Sequence, residues 1–80
     1  MYHVYFLSCG DERTYVGCTN DLKERFEKHK KGLVGATKNR LPVRLIAVIS
    51  IRNKYSAFNL EKYFKSGSER AFLKKHKILE

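Results

Sequence analysis

Only two cysteines, Cys9 and Cys18, occur in the 80 residues, and nothing near them has the paired Cys/His spacing of a zinc site. A disulfide scaffold is excluded, and both are expected to be reduced, partly buried thiols. No apolar run approaches the roughly 18 residues that a membrane-spanning helix needs. The opening Met-Tyr-His-Val-Tyr lacks the basic-then-apolar order of a secretory signal. These absences lead to the expectation of a cytoplasmic protein with no membrane partner, folded as one small domain over residues 1–80. Acidic residues are scarce too: eight Asp and Glu stand against seventeen Lys and Arg, a formal net charge of +9. Such an excess on a short chain points to a polyanionic partner, most commonly nucleic acid, with an acidic protein as the alternative. With 42% hydrophobic residues, the composition is that of a globular chain.

What is present is organised around the stretch from Thr14 to His29. Thr14 to Thr19 is β-branched or aromatic at most positions and reads as a strand. Asn20 or Asp21 then caps a helix of about Asp21–Lys31, where Asp21 and Glu24 suit the positive end of the dipole and Gly32 ends the element. Leu22 and Phe26 form its apolar stripe, with Arg25 and His29 four apart beside it. Upstream, Tyr2–Leu7 alternates as a strand, with Val4 and Phe6 on one face and Tyr5 on the other. A polar connection, Ser8–Arg13, is of hairpin length. Antiparallel pairing then brings Tyr5 and Tyr15 to the same face as neighbours, beside Gly17, where a ligand's backbone could approach closely.

Leu33–Leu41 has no clean period and leads to the chain's only proline, Pro42. It is expected to be a loop exposing Thr37, Lys38, Asn39 and Arg40, able to grip phosphates. Val43–Ile51 is a nearly continuous apolar run, expected to be a strand buried on both faces. Ser56 is the expected cap of a second helix, about Ala57–Ser66, ended by Gly67. Ser68 is expected to cap a third, about Glu69–Ile78, with Ala71, Phe72 and Leu79 as its apolar positions. Glu61 interrupts the apolar stripe of Ala57, Leu60 and Phe64. A carboxylate so placed must be ion-paired, bound to a metal, or at the wet margin of the stripe.

Taken in order, these residues resemble the GIY-YIG nucleases. His3-Val4-Tyr5 stands where that family has Gly-Ile-Tyr, and Tyr15-Val16-Gly17 matches Tyr-Ile-Gly after a suitable spacer. Asp21-Leu22, Arg25 and His29 follow as in the family's first helix, Thr37, Arg40 and Pro42 precede the third strand, and Glu61 stands on the expected helix. Lys65-Ser-Gly-Ser and Arg70-Ala-Phe are similar to the small single-domain bacterial members. The resemblance implies an α+β fold, a three-stranded antiparallel sheet flanked by helices in the order β-β-α-β-α-α. It further implies metal-dependent endonucleolytic hydrolysis of DNA, including structure-specific cleavage in DNA repair or processing; the alternative is a weak or inactive nucleic-acid-binding module on the same fold.

The implied roles are metal binding by Glu61, phosphate stabilisation by Arg25, and activation of water by Tyr5 or Tyr15, with His29 positioning or deprotonating the phenol. The implied cofactor is Mg²⁺ or Mn²⁺, since Mg²⁺ keeps several waters and can be held by one carboxylate together with substrate phosphate. Lys28, Lys31, Thr37, Lys38, Arg40, Lys65 and Arg70 are the expected contacts to DNA, whether duplex, branched or single-stranded, and a targeting protein is a further expected partner. Three positions depart from the family pattern. His3 replaces the first glycine, Cys18 stands where some members carry a lysine, and Leu73 lies near the place of an asparagine found in larger members.

Overall fold

Alternating residues of a strand point to opposite sides of a sheet, and in this chain both sides of the central strand are covered. A computed structural model, which describes residues 1–78, places Tyr2–Ser8 (β1) between Thr14–Thr19 (β2) and Arg44–Ile51 (β3), antiparallel to both. The helices are Leu22–Lys30 (α1), Lys54–Tyr63 (α2) and Glu69–Lys75 (α3). Between α2 and α3 a wide turn, Phe64–Ser68, bends at Gly67, whose φ of 112° suits glycine. The expected three-stranded sheet and the order β-β-α-β-α-α are both present.

On one side, Val4, Phe6 and Val16 pack under Ala57, Phe64 and Leu73 from the C-terminal half. The Phe6 ring meets Phe64 edge-on at 5.0 Å and stacks on Phe72 at 5.8 Å. Burying an aromatic side chain of this kind contributes about 1.5–3 kcal/mol. On the other side, Tyr5, Leu7, Cys9 and Val43 form a second buried cluster, closed by Leu22 and Phe26 of α1. Both cysteines are free, Cys9 buried and Cys18 half-buried.

Several expectations need correction. The apolar third strand is an edge strand, and Leu45 and Val48 are 38% and 37% exposed. Its continuous hydrophobicity suggested burial on both faces, but a helix about 10 Å across covers only about two strands spaced 4.8 Å apart. α1 sits over β1 and β2. Asn53 rather than Ser56 caps α2, accepting from the Ser56 backbone N–H at 2.9 Å. Ser68 makes no side-chain cap at α3. In that helix Phe72 packs on the core as expected, but the fully buried residue is Leu73 and Ala71 is exposed. Leu79 lies outside the described residues. Asp21 and Gly32 behave as expected: the Asp21 carboxylate accepts from Glu24 N–H at 3.1 Å, and Gly32 has φ 74°.

Candidate functional site

Antiparallel register sets Tyr5 opposite Gly17, and this pairing starts the site. A Cβ at position 17 would collide with the ring and hydroxyl of Tyr5. The glycine therefore makes room for the phenol, not for the backbone of a ligand as its place in the sequence suggests. Tyr15 stands beside Tyr5, with ring centroids 6.3 Å apart. His29, brought over the sheet by α1, closes the triangle at 5.5 Å from Tyr5 and 5.2 Å from Tyr15. The Tyr5 hydroxyl and His29 Nε2 are 2.8 Å apart in a hydrogen bond.

Arg25, one turn earlier on α1, lies beside the two phenols. Their presence, Tyr5 first, holds the guanidinium above its ordinary pKa. Burial pushes the Tyr5 phenol up to about 12, with the neighbouring Arg25 guanidinium opposing the rise. Burial, and then the Arg25 charge, push His29 below its ordinary value, so the imidazole is neutral at neutral pH.

Glu61 and Lys65, one turn apart, meet at 3.1 Å. The Lys65 ammonium also lies 5.2 Å from the centre of the Tyr15 ring. Burial, and then the Glu61 charge, hold the Cys18 thiol above its ordinary pKa. Of the readings open for Glu61, the structure shows the ion pair, at the margin of the α2 stripe with the carboxylate side chain 23% exposed.

Among the described residues no group of three or more His, Cys, Asp or Glu could enclose a metal ion. A single, partly exposed carboxylate does fit a hard cation that retains its water, such as Mg²⁺ or Mn²⁺, with substrate oxygens completing the shell. It does not fit a tetrahedral zinc centre. Leu73, near the family's asparagine position, is wholly buried and offers no amide.

The expected phosphate contacts divide. Thr37 is the clearest correction: it was expected on an exposed loop and is fully buried, with Oγ1 2.7 Å from His29 Nδ1. Its neighbour Val34 is buried as well, anchoring the loop through the Thr37 N–H and Lys38 N–H bonds to the Val34 carbonyl. That i to i+3 pattern in a loop without regular period is what sequence periodicity missed. Lys38 is exposed, and Arg40 is tied to Asp11 at 2.8 Å.

Arg40 and Arg70 share an open groove of about 510 Å³ with Arg13, which sequence reasoning did not single out; Asp11 and Glu69 line it as well. Arg13 lies at the end of the hairpin connection, where no motif marks it. Lys65 adjoins the tyrosines, but Lys28 and Lys31 do not. They line a separate depression with Lys23 and Glu27, and Lys28 is paired with Glu24 at 2.9 Å. Among the described residues no helix is long and apolar enough to cross a membrane.

The chain is similar to several proteins that carry the name UPF0213. The UPF0213 protein YsiG of Lactococcus lactis is 44% identical over 67 residues, 81% of this chain and 64% of that protein. A second Lactococcus lactis UPF0213 protein is matched over 63% of its length, so the chain spans slightly less than two thirds of these two relatives. A UPF0213 protein of Pediococcus pentosaceus is 42% identical over 82 residues, covering 96% of this chain and 85% of the relative. The solution structure of a UPF0213 protein from Bacillus halodurans superposes with a TM-score of 0.60 at 32% identity, covering 98% of this chain and 85% of that one. None of these names states an activity. The family described as the GIY-YIG catalytic domain matches residues 1–76, and with the paired tyrosines, Arg25, His29 and Glu61 arranged as above, the chain belongs to that family.

Proposed function

We propose that the chain is a nucleic-acid-binding module on the GIY-YIG scaffold that retains weak, metal-dependent cleavage of DNA phosphodiesters. The observation that carries this reading is the Glu61–Lys65 pair: the Glu61 carboxylate is already neutralised by an ammonium that itself lies beside Tyr15. A divalent ion must compete with Lys65 for it. When bound, such an ion would polarise a phosphate oxygen and lower the pKa of its water.

The residues of the chain supply the rest. Arg25 offers a planar fork to non-bridging phosphate oxygens, which Lys would match less well. Tyr15, half-buried beneath the Lys65 ammonium, and Tyr5, between Arg25 and His29, are the phenols that could exchange a proton with an attacking water. Lys65 supplies a cation beside Tyr15 where position 18 has none. Arg13, Arg40 and Arg70 extend the basic surface away from the tyrosines, where phosphate contacts position a strand without reading its sequence.

A second reading, an efficient Mg²⁺-dependent endonuclease, is favoured by the complete set of Tyr5, Tyr15, Arg25 and His29. The two separate in a paired assay of wild type and Glu61→Ala on labelled single-stranded, duplex and branched DNA, with Mg²⁺, with Mn²⁺ and with chelator. The proposal expects slow nicking by wild type in metal, none by Glu61→Ala, and equal DNA binding by both. Rapid multiple turnover would establish the efficient enzyme, and failure of wild type to bind any of the DNAs at low salt would overturn both readings.

A further inference from the structure

An open depression of about 420 Å³ runs between the first turns of α1 and those of α2. Arg25, Asp21 and Glu24 line it from the α1 side, and Lys54 and Phe58 line it from α2, with Tyr2 of β1. Arg25 connects it to the candidate site, because the same residue lies beside Tyr5 and Tyr15. The Phe58 ring meets Tyr2 edge-on with centroids 6.0 Å apart, and the Lys54 ammonium stands 5.8 Å from its centre. Those contacts leave Phe58 41% exposed. The core does not use this ring, since α2 packs on it through Ala57 and Leu60.

The lining sorts the occupants that would fit. Arg25 and Lys54 disfavour a cationic ligand and suit phosphate. Asp21 and Glu24 disfavour phosphate at their own wall and offer acceptors instead. Asp21 accepts from the Glu24 N–H through one carboxylate oxygen, and Glu24 pairs with Lys28 through one of its own, so each keeps a second oxygen for a donor. A flat ring with N–H donors on its edge, joined to a phosphate, meets all of these conditions, and that is the make-up of a nucleotide. In a continuous duplex both faces of each base are covered by stacked neighbours, and a base must leave the stack before a protein ring can take their place.

We infer that this depression is a subsite for one unpaired nucleobase, which stacks on Phe58 while Arg25 holds the adjoining phosphate at the tyrosines. The inference rests on the proposed nucleic-acid reading and names its substrate class: DNA with an unpaired nucleotide beside the reacting phosphate, as in a single strand or at a branch. Phe58 distinguishes such a strand from a continuous duplex, whereas Arg25 and the groove of Arg13, Arg40 and Arg70 meet the phosphates of either.

The test is fluorescence anisotropy of a labelled single strand and of a duplex of the same length, in chelator, with wild type, Phe58→Leu, Phe58→Tyr and Arg25→Gln, each shown to be folded by circular dichroism. Phe58→Leu keeps an apolar contact for Tyr2 and loses the stacking face. It should weaken single-strand binding about fivefold or more and leave duplex binding within about twofold of wild type. Phe58→Tyr, which keeps the face, should bind both DNAs as wild type does, and Arg25→Gln should weaken both. Unchanged single-strand binding by Phe58→Leu, an equal loss on the two DNAs, or equal weakening by Phe58→Leu and Phe58→Tyr would overturn the inference and leave the nucleic-acid reading standing. Failure of wild type to bind either DNA at low salt would overturn that reading and the inference with it.

Discussion

The two halves of the site are built differently. Tyr5, His29 and Thr37 lie inside the fold, each almost wholly buried and joined by short hydrogen bonds. Glu61 and Lys65 lie at the margin, joined by one ion pair between partly exposed side chains. The first half is therefore part of what holds the sheet to α1, whereas the second is free to exchange partners. A fold can keep the buried half for stability alone, so its presence is weaker evidence of activity than the state of the exposed half.

Stability should report this contrast most strongly at His29. His29→Ala removes a buried ring and leaves two hydroxyls unpaired, with an expected loss of about 3 kcal/mol in urea unfolding. A loss below about 0.5 kcal/mol would show that His29 and its two hydrogen bonds are not part of the core. Gly17→Ala comes next, because its methyl group must displace the Tyr5 ring. Overpacking of this kind costs about 1–3 kcal/mol, and a thermal melt should show it. Glu61→Ala and Lys65→Ala should each change stability by no more than about 0.5 kcal/mol, since the pair is partly exposed. Equal losses at Glu61 and His29 would erase the distinction between the halves.

Acid sensitivity sharpens the same comparison. His29 is held below its ordinary pKa in the folded state, so the unfolded chain binds the extra proton more readily. The contribution of the neutral ring is then fully present above the unfolded pKa of about 6.5 and is lost as pH falls toward the lower folded value. Wild type should lose stability through that window, and a folded His29→Gln variant should lose less. Parallel pH curves for the two would contradict the burial argument.

How much of this was legible in the sequence follows from where each interaction is encoded. Strand alternation placed Tyr5 and Tyr15 on one face, and the four-residue spacing of Arg25 and His29 put both over it, because those contacts depend on local periodicity. Glu61 stood out as a charge in an apolar stripe. Thr37 did not, because its burial depends on the path of an irregular loop, and a polar residue between Ala36 and Lys38 has the look of a surface. The apolar run of β3 was misread for a related reason: strand order is a property of the whole sheet, and nothing within that segment distinguishes a half-covered edge from a centre. Arg13 gained meaning only when the hairpin and α3 brought it beside Arg40 and Arg70.

The central claim is that nucleic acid meets the chain on the side of the tyrosines, and salt-dependent binding tests it most directly. Fluorescence anisotropy of a labelled DNA duplex should be titrated with wild type, Arg25→Gln, Arg70→Gln and Lys28→Gln at several salt concentrations. The account predicts weaker binding for Arg25→Gln and Arg70→Gln, each with the salt slope reduced by about 0.9 for the lost phosphate contact. Lys28→Gln, on the outer face of α1 and already paired with Glu24, should bind as wild type does. Weakening by Lys28→Gln, with Arg25→Gln and Arg70→Gln unchanged, would place the nucleic acid on the opposite side and contradict the account.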